Sequence, residues 1–156
     1  MPISFAVALQ GWVTRQPRAW RSPDTDRTGL APGSGTVLVV DDDRGVRRLT
    51  ARMLRAEGYK TLEADSGPEA LAILEREPGI HLLVTDIVMP EMHGLDLADQ
   101  AQARLPQLRV LLMTGHAPEL TVQLDARDER MPVLLKPFSK EQLSAKVRDA
   151  LADHRQ

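Results

Sequence analysis

Asp41, Asp42, Asp86, Thr114 and Lys136 are distant along the chain, yet each ends or directly follows an apolar, strand-like run. Val37 to Val40 leads into Asp41 and Asp42, Leu82 to Thr85 into Asp86, Val110 to Met113 into Thr114, and Val133 to Leu135 into Lys136. Strands buried on both faces read as unbroken apolar runs, and open parallel sheets hold ligands beyond the strands' carboxyl ends. One rim would therefore gather three carboxylates, a hydroxyl and an ammonium. Carboxylates roughly 5 Å apart repel by about 3 kcal/mol per pair at an effective dielectric near 20. Such a cluster calls for a cation. Hard oxygen donors without histidine or cysteine favour magnesium, which keeps several waters and takes phosphate oxygens readily. With the charge screened, one carboxylate becomes a nucleophile toward phosphorus. Lys136 would then offset charge on the transferred group, and Thr114 would donate a hydrogen bond to it.

The elements that must position these residues alternate strand and helix, the pattern of a parallel sheet with crossover helices and hence of an α/β fold. A first helix is predicted from about Arg44 to Glu57, with Val46, Leu49 and Met53 on its buried face and Gly58 as a left-handed cap. Asp43 is placed to cap that helix rather than to join the acidic pair. A strand, Lys60 to Ala64, follows. Ser66-Gly67-Pro68-Glu69 forms a capping box ahead of a stripe of Ala70, Leu71, Ile73 and Leu74. Leu95, Ala98, Ala101 and Leu105 mark a third helix that Pro106 stops. A fourth helix around Leu120 and Leu124 carries little apolar area, since 125–130 is densely charged. The fifth starts at a second capping box, Ser139 with Gln142, and lines up Leu143, Val147, Ala150 and Leu151.

The 156 residues, 42% of them hydrophobic, suffice for one domain with a core. A net charge of −2 speaks against direct nucleic-acid binding. The absence of cysteine excludes disulfides and thiolate chemistry and fits a cytoplasmic protein. No run approaches the roughly 18 apolar residues of a membrane span. The four histidines, His81, His93, His116 and His154, are too scattered for a zinc site. Residues 1–35 hold four arginines, two acids and both tryptophans. They read as a disordered extension whose Pro/Gly/Ser stretch, Leu30 to Gly35, is a linker to a domain over 36–156. Ile3 to Leu9 is too short, and lacks the basic start, for a secretory signal.

Four motifs in this order, Val-Leu-Val-Val-Asp41-Asp42-Asp43, Thr85-Asp86-Ile87-Val88-Met89-Pro90, Met113-Thr114-Gly115 and Leu135-Lys136-Pro137-Phe138, resemble the receiver domain of two-component response regulators. The resemblance covers about residues 36 to 154 and is similar to both stand-alone receivers and those of hybrid sensor kinases. It implies a flavodoxin-like (βα)5 doubly wound sheet of strand order 2-1-3-4-5. It implies that Asp86 accepts phosphate from a sensor histidine kinase or histidine phosphotransfer protein. Mg2+ would be held by Asp42, with Asp41 nearby, Asp86, and the Val88 carbonyl. Thr114 and Lys136 would contact the phosphoryl group, and the Lys136–Pro137 bond would be cis. The readout would be a protein partner or a homodimer, formed on the fourth helix, fifth strand and fifth helix. Such a domain is not an enzyme in the ordinary sense, catalysing only its own phosphotransfer and dephosphorylation. Two rivals stand beside this reading. A phosphorylation-independent binding module would not need the intact acidic set. A phosphatase of the haloacid dehalogenase type would want an aspartate two residues after the nucleophile, where Val88 stands.

Departures from the family pattern bear on switching and lifetime. Where many receivers carry a rotating tyrosine or phenylalanine, three residues before the lysine, this chain has Val133, which is stiff and cannot perform that exchange. The expectation is a switch that rests on Thr114 and on repacking of the charged fourth helix. Gly115 leaves the site open to a donor. By the same resemblance Val88 and His116 stand where the family gates the hydrolytic water; the His116 imidazole either positions a water or is an exposed loop side chain, and valine cannot orient one. Slow hydrolysis is therefore expected. Phosphate loss from Val88→Asn, followed by intact mass against time, should be faster than from the wild type; equal rates would show that Val88 is not limiting.

Overall fold

All five residues of β3 (Leu82–Asp86) and the last four of β1 (Thr36–Val40) are buried, as strands sandwiched between two helical layers must be. The computed structural model describes residues 33–115 and 131–152. Within them β1 is followed by α1 (Arg44–Ala56), β2 (Lys60–Ala64), α2 (Gly67–Arg76), β3, α3 (Gly94–Arg104), β4 (Arg109–Thr114), β5 (Val133–Leu135) and α4 (Lys140–Ala152). The fourth helix expected around Leu120 and Leu124 lies outside the described residues, so α4 is the fifth helix of the sequence reading. His116, His154 and residues 1–32 lie outside them too.

The strands pair in parallel in the order β2-β1-β3-β4-β5, which makes the sheet the expected α/β, flavodoxin-like doubly wound one. Side-chain alternation divides the core between the two faces. Leu38, Val40, Leu83, Val110 and Leu112 pack with α2 and α3 through Leu71, Leu74, Leu97 and Ala101. Val37, Val39, Leu82, Val84, Leu111 and Met113 pack with α1 and α4 through Leu54, Leu143 and Val147. No helix among the described residues is long and apolar enough to cross a membrane.

Local signals act as the residue types require. Asp43 caps α1, its side chain accepting from the Val46 N–H at 3.1 Å. Ser66 caps α2 by accepting from Glu69 N–H, while Glu69 accepts from Asp65 N–H, one residue earlier than in the usual reciprocal box. Ser139 and Gln142 exchange both bonds, at 3.0 and 2.8 Å. Gly58 takes φ +106° behind α1, as expected of a left-handed cap.

Two expectations are corrected. The buried face of α1 is Thr50, Ala51 and Leu54, not the stripe through Leu49, which is 51% exposed. Small side chains at 50 and 51 let the helix approach the sheet, and Thr50 returns its hydroxyl to the Val46 carbonyl. In the predicted linker, Gly35 already belongs to the fold, its carbonyl accepting from Lys60 N–H at 2.9 Å.

Gly94 opens α3 directly under the end of β3. Its N–H donates to the Ile87 carbonyl at 2.6 Å, and a Cβ there would collide with the Asp86 carbonyl oxygen and the Ile87 Cα. The glycine is thus required by close approach rather than by a turn; the left-handed residue of this loop is Glu91, at φ +73°. Because the colliding atoms are backbone, Gly94→Ala should lower stability by about 2 kcal/mol in urea unfolding. An unchanged or raised midpoint would contradict this packing.

Candidate functional site

Strand register brings the distant residues to one rim. Val40 pairs with Thr85, Asp86 with Met113, and Thr114 with Leu135, so the residues at the carboxyl ends of β1, β3, β4 and β5 stand side by side. The Lys136 N–H donates to the Thr114 carbonyl at 2.8 Å, which carries the β4–β5 ladder one step beyond the strand. The Lys136–Pro137 peptide is cis. From there the Lys136 Nζ reaches both the Asp41 carboxylate, at 3.1 Å, and the Asp86 carboxylate, at 3.4 Å. Oxygens of Asp41, Asp42 and Asp86 all lie within 4.8 Å of one another. Thr114, 1% exposed, ends the adjacent strand.

Asp41 is fully buried, and its two oxygens accept from the Asp43 N–H and from Lys136. Asp86, 9% exposed, accepts from the Ile87 N–H at 3.0 Å. Burial, aided by the Asp41 charge, pushes the Asp86 carboxyl above the ordinary carboxylate range, against the pull of Lys136. Burial works to lower the Lys136 ammonium, but Asp41 and Asp86 outweigh it and hold it above its ordinary value. Lys136 is therefore charged at neutral pH and bridges two carboxylates, and the exposed Asp42 adds a third acid beside them. This close set of oxygen donors suits a hard divalent cation.

The other candidates surround this centre. Val88 is 47% exposed in the loop after β3. Gly115 follows Thr114 at the surface, where a Cβ would meet only the Lys136 Cβ at an ordinary 3.8 Å. Val133, partly buried, packs against the core under α2 and α3. Sequence reasoning overlooked Arg47 and Glu63: the Arg47 guanidinium donates to the Asp41 carbonyl at 2.9 Å and pairs with Glu63 at 3.3 Å. The available signal was a lone glutamate inside β2, opposite Val39.

The family model described as response regulator receiver domain matches residues 37–148. The response regulator receiver protein CpdR of Brucella abortus (strain 2308) is 41% identical over 104 residues, 65% of this chain and 84% of CpdR. Sensor kinase CckA of the same organism is 35% identical over 136 residues, 86% of this chain; the match spans 14% of CckA's length. The solved receiver domain from hybrid histidine kinase CckA superposes with a TM-score of 0.64 at 34% identity, covering 75% of this chain and 99% of that one. A CheY-like receiver domain protein from Methanospirillum hungatei JF-1 gives 0.66 at 31%, covering 75% and 93%.

The raised Asp86 carboxyl has a consequence for stability. A group that binds its proton more tightly when folded stabilises the fold while protonated, and that contribution is lost as pH rises through its folded value. At neutral pH the Asp86 charge thus opposes folding. Without divalent metal, Asp86→Asn should unfold at a higher urea concentration than the wild type at pH 7, and the gap should narrow in acid. A wild type more stable than the variant at pH 7 would contradict it.

Proposed function

The chain belongs to the response regulator receiver domain family of two-component systems, and on that premise we propose that Asp86 is its reversible phosphoacceptor. The observation that carries the reading is the Lys136 ammonium bridging the Asp41 and Asp86 carboxylates at one sheet rim. In the proposed transfer a carboxylate oxygen of Asp86 attacks the phosphorus of a donor phosphohistidine. An O–P bond forms, the P–N bond breaks, and the electron pair returns to the imidazole. Lys136 moves its interaction to the incoming phosphoryl oxygens and Thr114 donates its hydroxyl to one of them, so that two fixed donors meet the charge as it arrives. Asp41, Asp42, Asp86 and the Val88 carbonyl are the residues that would hold Mg2+, which supplies neutralisation of the crowded charge and a ligand position for phosphate. The close carboxylate oxygens support that fit.

The remaining assignments follow from the same reading. The donor is a sensor histidine kinase or a histidine phosphotransfer protein, and the protein works in the cytoplasm. The receiver runs from Gly35 onward, and the residues before it are an extension. Phosphorylation adds nearly two negative charges, and moving a two-state equilibrium from 1:99 to 99:1 takes about 5.5 kcal/mol of differential stabilisation. With Val133 in place of a ring, we assign the switch to Thr114 and to the segment after it. The output surface is that segment with β5 and α4, offered to a downstream protein or to a second copy of the chain.

Incubation with acetyl phosphate and Mg2+, followed by intact mass, tests the reading. The wild type should gain one phosphoryl group, and Asp86→Ala none. No gain would favour a phosphorylation-independent binding module, and consumption of the donor without a lasting adduct would favour a phosphatase. An adduct that survives in Asp86→Ala would remove Asp86 from its role.

A further inference from the structure

Asp41 lies one residue past β1, where the sheet can satisfy only part of its backbone. Its N–H still donates to the Ala64 carbonyl of β2 at 3.2 Å, but its own carbonyl is past the last ladder bond. The partner it finds is Arg47, whose Nη1 donates to it at 2.9 Å from the first turns of α1. Arg47 is itself fixed. Its Nε contacts Glu63 at 3.3 Å, the other Glu63 oxygen contacts Arg55 at 3.4 Å, and Arg55 also donates to the Thr61 carbonyl at 3.0 Å. The Arg47 side chain is only 15% exposed, so this is a held guanidinium rather than a solvated one.

The carbonyl that Arg47 grips belongs to the peptide joining Asp41 to Asp42. A peptide group is planar, so fixing its oxygen fixes the N–H and the Cα direction of the next residue. Asp42 needs this, because it is exposed and makes no hydrogen bond or ion pair among the described residues, yet its carboxylate lies within 4.8 Å of those of Asp41 and Asp86. We propose that Arg47, anchored by Glu63, is a positioning residue for the metal site: it sets the Asp41–Asp42 peptide and thereby aims the Asp42 carboxylate at the site. The proposal rests on the reading that these acids hold Mg2+. Outer groups that orient metal ligands typically contribute 10–100-fold in affinity.

Calorimetric titration of the full chain with Mg2+ tests this, with no phosphotransfer involved. Arg47→Ala should bind Mg2+ about tenfold more weakly than the wild type. Arg47→Lys should fall between them, because a single ammonium cannot serve the Asp41 carbonyl and Glu63 with the same fork. If Arg47 acts through Asp42, its removal should add nothing once that ligand is gone, so Arg47→Ala/Asp42→Asn should match Asp42→Asn alone. Should Arg47→Ala fail to fold, Glu63→Gln, which loosens the arginine and leaves it in place, should weaken binding in the same coupled way. Wild-type affinity in the arginine and glutamate variants, or an equal further loss in the Asp42→Asn background, would overturn the proposal. A wild type that binds no Mg2+ would instead overturn the reading on which it rests.

Discussion

The Lys136 ammonium between Asp41 and Asp86 is the interaction on which the rest of this structure turns. Three carboxylates at one rim share one cation, and burial, with the Asp41 charge added and against the pull of Lys136, leaves an Asp86 that holds its proton more tightly than an ordinary aspartate. A protein selected for stability alone would place an apolar or neutral side chain at one of these positions. Keeping them all stores an electrostatic demand that a divalent cation or an altered charge at Asp86 can meet. Under the proposed function the same rim would answer to phosphate, because the ammonium that bridges two acids is in reach of whatever attaches to either.

The fold converts this demand into a fixed geometry. Parallel strands deliver their carboxyl ends to one side, and the 2-1-3-4-5 order sets β1 between β2 and β3, so that Asp41 and Asp86 end adjacent strands. Each supporting contact then fixes one degree of freedom. Gly94 lets the start of α3 lie against the Asp86 backbone, the Thr114 carbonyl holds the Lys136 backbone, and the Asp43 N–H holds the Asp41 carboxylate while the Asp43 side chain caps α1. These bonds come from backbone groups and rigid element ends, which is why residues from four strands can meet within a few ångströms.

Much of this was legible in the sequence because it is local. Apolar runs ending on acids, two Ser-based capping boxes and a glycine behind α1 are short-range signals, and each element they announce is present at nearly the expected bounds. What escaped is what depends on how elements lie against one another. Periodicity placed Leu49 on the inner face of α1, but the helix settles on Thr50 and Ala51 because small residues allow the nearer approach. Gly94 is a contact residue, required by the backbone laid against it, while Glu91 takes the left-handed position. Arg47 and Glu63 are 16 residues apart and meet only because α1 packs back beside β2, which no local pattern encodes.

The most direct measurement of the central claim is the thermal unfolding midpoint of the wild type at pH 7, with millimolar MgCl2 against NaCl of equal ionic strength. A ligand that binds only the folded state raises its stability as its concentration passes the dissociation constant. A rise with magnesium that sodium does not reproduce is the result this account predicts. The same midpoint in both salts would mean that the rim carboxylates do not form the cation-demanding cluster described.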